Sequence, residues 1–182
     1  MATLGYFITF HTYGTWLHGC AEGSVDDDHS TPGTTFLPID LPRHQREQRA
    51  LKHPPVTLDK QRRFVVDATI REVCTHRSWR LRALQARTTH VHIVVCGEHT
   101  PERMMNHFKA YCTRRMREAF VLSKEIEPWA HHGSTRYLNT ERSFRRAVQY
   151  VLEEQGELLA MRCPQGWTPK IQQTQGASEP RA

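Results

Sequence analysis

Two histidines stand two residues apart in residues 89–96, THVHIVVC. In a strand, side chains i and i+2 share a face, so His90 and His92 project the same way from positions roughly 7 Å apart. Two imidazoles placed like this can converge on one divalent ion above the sheet, where the ion would act as a Lewis acid on a bound substrate. The plainer alternative is a pair of histidines on a solvated strand face. The flanking Val91, Ile93 and Val95 weigh against it, because they make the segment an apolar, central strand where solvated polar groups are less expected.

A second candidate is Tyr150. The late segment around it has an apolar stripe of Phe144, Ala147, Val148, Val151 and Leu152. At about 100° per residue, Tyr150 falls well over 100° from the centre of that stripe, which predicts a ring off the helix's core face. Such a tyrosine is usually plain surface. Beside a two-histidine metal site it becomes a candidate nucleophile, since a metal that polarises a phosphodiester makes attack by a phenolate feasible. Glu154 lies one turn further on the same side and can complete a facial site of two histidines and one oxygen ligand. Gln155 competes for that role, because an amide near the apolar stripe needs a polar neighbour above the sheet. For both, the alternative is a frayed, solvated helix end.

The elements that must position these groups follow from composition and period. The chain has 182 residues, with 25 Lys+Arg against 19 Asp+Glu and a net charge of +6. That length fits one domain, and the lean 38% hydrophobic content predicts long polar loops or a tail around a compact centre. No window approaches the ~20 apolar residues of a membrane helix, and no signal-peptide pattern opens the chain, so a soluble, cytoplasmic protein that does not engage a membrane is expected. Five cysteines without C-x-x-C spacing fit free thiols better than a disulfide framework or a zinc ribbon. The positive surplus points to a polyanionic partner and to no particular fold.

Residues 6–13, YFITFHTY, read as a first strand. Residues 14–55 carry enough Gly, Asp and Pro to predict a long loop insertion. Thr57 opens a helix to about His76, on the recurrence of Val66, Ile70, Val73 and Cys74. Trp79, Leu81 and Ala83 alternate with Arg80 and Arg82 as a second strand with a basic outer face, and residues 90–96 form the third. Thr100, Pro101 and Glu102 start a helix with a buried stripe of Met105, Phe108, Cys112, Met116 and Ala119, and with Lys109, Arg114, Arg115 and Arg117 mostly off it. Residues 134–139 predict a fourth strand, and Thr140 with Glu141 opens the tyrosine helix. Residues 159–182 lack periodicity and predict a disordered tail. The order β-α-β-β-α-β implies an α+β, ferredoxin-like (RRM-like) four-stranded antiparallel sheet with helices on one face, plus a C-terminal helix carrying the tyrosine.

That order, with H-x-H on the third strand and a tyrosine on a late helix, resembles the HUH superfamily of single-strand transposases. More narrowly it resembles the REP-associated tyrosine transposases and their insertion-sequence relatives. The matching segments are FITFHTYGTW, THVHIVV, FKAYCTRRMRE, WAHHGSTRYL and AVQYVLEEQGE, spread over residues 1–158. The resemblance implies that His90 and His92 hold Mg²⁺ or Mn²⁺. It also implies that Tyr150 attacks single-stranded DNA, carrying a hairpin, to give a 5′-phosphotyrosine link and a free 3′-OH. The third ligand stays open between Glu154 and Gln155, and Thr89 stands where relatives usually have Asn. Whether the active protein is a monomer or a homodimer also stays open.

Lys109, Arg114, Arg115 and Arg117 are the expected DNA-binding residues, within a wider set that includes Arg80, Arg82, Arg103, Arg142, Arg145 and Arg146. Trp16, Tyr13 and Trp129 are candidate stacking platforms, with buried packing as the alternative. Two-histidine phosphoesterases need paired H-x-S/T motifs on strands, and the three letter matches here, at His29, His76 and His132, lack strand context. The remaining rival is a non-catalytic or domesticated module of the same fold that binds hairpins or other nucleic acid without cutting.

Overall fold

The computed structural model describes residues 3–17 and 40–154. Most of the 14–55 stretch, Gln155 and the 159–182 tail lie outside the described residues. The elements run β1 (Gly5–His11), α1 (Leu41–Arg49), α2 (Lys60–His76), β2 (Arg80–Ala86), β3 (His90–Cys96), α3 (Pro101–Glu118), β4 (Ser134–Leu138) and α4 (Glu141–Glu153). The strands form one antiparallel sheet in the order β2-β3-β1-β4, so the ferredoxin-like arrangement holds, with α4 added. Among the described residues no helix is long and apolar enough to cross a membrane.

Strand alternation divides the sheet into two unlike faces. Ile8 and Phe10 of β1, Leu84 and Ala86 of β2, and Val91, Ile93 and Val95 of β3 join Val66 and Ile70 of α2 and Met104, Phe108 and Met116 of α3 in the main core. The opposite face carries a smaller cluster in which Val94, Ala83 and Leu138 meet Ala147 and Val151 of α4, flanked by Phe7, Phe144, Val148 and Tyr150. His90 and His92, in phase with Val94, belong to this second face.

Four sequence expectations change. The 14–55 stretch is not loop throughout: Asp40 caps α1 by accepting from the Arg43 N–H, and Pro42 sits in its first turn, where proline starts a helix and does not break it. Thr57 is not the cap of α2. Asp59 is, accepting from the Arg62 N–H at 2.8 Å, so the helix starts two residues later than expected. The simple alternation of Leu81 and Ala83 also fails. A register shift between them sends Leu81 to the main core and Ala83 to the α4 cluster, as a bulge does. Finally, Tyr150 is not off the packed face. The buried centre of α4 is Ala147 and Val151, which leaves Leu152 39% exposed and brings Tyr150 half-buried against the sheet. The apolar stripe is broader than the strip that α4 buries, so its centre misplaces the helix's rotation.

Gly133, just before β4, permits a close approach. A Cβ there would stand 2.5 Å from Met105 Sδ and 2.6 Å from the Thr9 carbonyl oxygen. We predict that Gly133→Ala costs about 1–3 kcal/mol, as overpacking does, read as a lowered denaturant midpoint with an unchanged slope.

Candidate active site on the open face of the sheet

The two sequence-predicted histidines lie on β3 with ring centroids 4.6 Å apart. Antiparallel pairing sets Thr9 of β1 opposite His92 and His11 opposite His90, while β2 sets Gln85 beside His92. The Thr9 hydroxyl is 2.8 Å from His92 Nδ1, and the Thr89 hydroxyl is 3.0 Å from His90 Nδ1. With each Nδ1–H donating to its threonine oxygen, the lone pair of each ring resides on Nε2, the atom a metal would take. Thr89 is itself anchored, because its carbonyl accepts from the Thr12 N–H at 2.8 Å and from the Thr12 and Thr15 hydroxyls. That carbonyl ties the end of β1 to the start of β3.

Tyr150 comes from α4 of the same chain and completes the group. Its ring centroid lies 5.6 Å from that of His92 and 6.0 Å, edge-on, from that of Phe7. Phe7 is also 5.6 Å from His92, so the three rings form a packed triangle. The sequence-predicted juxtaposition of His90, His92 and Tyr150 is therefore present within one subunit. α4 is started by a capping box, in which Thr140 accepts from the Ser143 N–H at 3.1 Å and Ser143 Oγ accepts from the Thr140 N–H in return.

The third-ligand candidates fare differently. Glu154 is the C-cap of α4, with its N–H bonded to the Tyr150 carbonyl at 3.2 Å and its side chain exposed in the groove that Tyr150 also lines. Gln155 lies outside the described residues. Among the described residues no three His, Cys, Asp or Glu side chains already form a metal-binding cluster. The donor chemistry that is present, two imidazoles held beside threonine hydroxyls, fits a divalent ion that takes its remaining ligands from phosphate, water or a carboxylate.

His11 is a site residue that sequence reasoning missed. Its ring lies 5.4 Å from His90 and stacks on Trp16 at 4.7 Å. Burial, then the neighbouring His90 and Lys109, push its pKa down to about 4, so it is neutral at physiological pH. The available signal was the alternation Phe7, Thr9, His11 within FITFH, legible once β1 is paired antiparallel to β3. Trp16 is 40% exposed and does not follow the buried alternative, whereas Trp129 does, packing edge-on to Phe10 and donating its indole N–H to Lys109 O and Thr113 Oγ1.

No family model matches this chain, and no curated protein matches it. Solved structures do. One is a REP-associated tyrosine transposase bound to a REP hairpin, with 10% identity over 85% of this chain and 69% of that one, at a TM-score of 0.45. Another is a candidate transposase of Deinococcus radiodurans, with 15% identity over 83% of this chain and 90% of that one, at a TM-score of 0.42.

The four cations expected to bind DNA are not brought to this site. All sit on α3, which packs against the other face of the sheet. Arg115 is buried and joins Glu72 at 3.0 Å and Glu118 at 3.1 Å, which ties α3 to α2. Arg117 donates to the Ile126 carbonyl and pairs with Glu127, and Arg114 pairs with Glu118 while lying over the Tyr111 ring. Lys109 donates to the carbonyls of Ala130, His131 and His132 at 2.9, 3.2 and 3.0 Å, and burial pushes its pKa down to about 8. The sequence could place these side chains off the apolar stripe of α3. It could not show that neighbouring loops and helices use them up. Lys109→Met should therefore lower stability by about 1–3 kcal/mol by stranding backbone acceptors, measured by denaturant unfolding, with little change in the salt dependence of oligonucleotide binding.

Proposed function

We propose that this chain is a metal-dependent single-stranded DNA transesterase of the transposase type, cleaving and rejoining DNA through Tyr150. The observation that carries this reading is the placement of the Tyr150 ring 5.6 Å from that of His92, on the histidine face and within one chain. His90 and His92 would hold Mg²⁺ or Mn²⁺, which when bound supplies Lewis-acid polarisation of a phosphate oxygen. Glu154 and Gln155 are the candidates for the remaining protein ligand.

Each side chain then has a part. Thr9 and Thr89 orient the two imidazoles. Phe7 restricts the phenol ring through their edge-on contact. Tyr150 Oη attacks phosphorus, so that its O–P bond forms as the bond to the 3′ oxygen breaks. The phenol proton passes to solvent, the departing 3′ oxygen takes one up, and the products are a 5′-phosphotyrosine and a free 3′-OH. Attack of a 3′-OH on that phosphotyrosine reverses the sequence, so one phosphodiester is exchanged for another without external energy.

Incubated with Mn²⁺ and a hairpin-bearing single strand, the wild-type chain should form a band that survives denaturing electrophoresis, and Tyr150→Phe should form none. An adduct that persists in Tyr150→Phe would remove the tyrosine from its role. The wide exposure of Glu154 favours a second reading, a hairpin-binding module of the same fold that does not cut. Hairpin binding without an adduct on any substrate would select that reading. Removing a group that orients a ligand should also be visible: Thr9→Val should weaken Mn²⁺ binding about 10–100-fold, followed by the paramagnetic resonance of free Mn²⁺.

A further inference from the structure

Between α4 and β4 lies a groove of about 680 Å³ lined by Arg136, Arg142, Arg146, Phe7, Tyr150 and Glu154, among others. We infer that this groove is the track for the DNA backbone, with Arg136, Arg142 and Arg146 holding the phosphates next to the one presented to Tyr150. The inference rests on the single-strand reading above and adds to it a surface that binds the strand.

Helical spacing gives the groove its form. Arg142, Arg146, Tyr150 and Glu154 follow one another at i, i+4, i+8 and i+12, so they line one side of α4 in steps of about 6 Å. Arg136 faces them from β4, where it stands opposite Phe7 in the pairing with β1 and so projects to the histidine face. The groove carries three guanidiniums and one carboxylate, and the carboxylate lies at the far end, beyond Tyr150.

Pairing sharpens the choice. Arg145, on the same helix, is joined to Glu141 at 2.8 Å, and Arg114, Arg115 and Arg117 of α3 are engaged by Glu72, Glu118 and Glu127. Arg136, Arg142 and Arg146 are exposed and have no carboxylate within ion-pair distance among the described residues. These three cations thus sit, without a described counterion, on the face where a phosphate must be delivered.

The full chain can be tested without metal, using anisotropy of a fluorescein-labelled single-stranded oligodeoxynucleotide across a salt series. Replacing all three arginines by alanine should reduce the slope of log K against log salt by about 2, near 0.7 for each phosphate of a single strand that is no longer neutralised. The triple lysine variant should retain most of the wild-type slope, and Arg145→Ala should leave it unchanged. A wild-type slope in the triple alanine variant, or an equal loss in an Arg114→Ala/Arg117→Ala chain, overturns the groove, as does a wild-type chain that binds no single strand. Loss of slope in a protein that never forms a covalent adduct would keep the groove and remove the catalysis. An unchanged slope with adduct formation intact would do the reverse.

Discussion

The two-residue period of β3 is the constraint on which the rest depends. Val91, Ile93 and Val95 are fully buried against α2 and α3, and their burial obliges His90, His92 and Val94 to point the other way. A slip of one residue would drive two imidazoles into an apolar core and put valines on the open face, so the packing that stabilises the domain also fixes the direction of the site. β1 repeats the pattern in phase, with Ile8 and Phe10 inward and Thr9 and His11 beside the histidines. The site is thus a property of the sheet, and α4 needs only to bring one ring to it.

The two faces of the sheet differ in what their polar groups are free to do. On the side of α2 and α3, arginines and a lysine are absorbed into the architecture, bonding carboxylates on neighbouring turns or carbonyls of the loop before β4. Exposed ion pairs of this sort contribute little each, about 0–1 kcal/mol, but the buried Arg115 would leave an unpaired charge if its carboxylates were removed. On the side of α4 the sheet is covered only in part, and the small cluster of Ala83, Val94, Leu138, Ala147 and Val151 leaves the half-buried His90 and Tyr150 and the arginine groove within reach of a ligand, while His92 is buried beside the Phe7 and Tyr150 rings. Small side chains at Ala147 and Ala83 let α4 lie close to the sheet, which is how the Tyr150 ring comes within packing distance of Phe7 and His92.

Much of this was legible in the amino-acid order. The strand phase of His90 and His92, the Thr100 and Thr140 helix starts and the sheet topology follow from local period and capping chemistry. Other features depend on partners distant in sequence. His11 joins the site only through the pairing of β1 with β3, and Arg136 only because β4 pairs on the other edge of β1. The rotation of α4 could not be read from its apolar stripe, since Leu152 is apolar yet exposed, and the side of the sheet that α4 covers decides which strip is buried. The roles of Arg115 and Lys109 were hidden for the same reason. An amphipathic pattern records which residues avoid the core, and carries nothing about the carboxylates and carbonyls that later engage them.

The central claim is that the face set by β3 is a metal site beneath a tyrosine. Anomalous diffraction from a crystal of the full chain grown with Mn²⁺ measures this directly. A manganese peak bonded to Nε2 of both His90 and His92, on the side of the sheet that carries Tyr150, is the predicted result. Manganese bound elsewhere with none at His90 and His92, or no bound manganese at all, would contradict it.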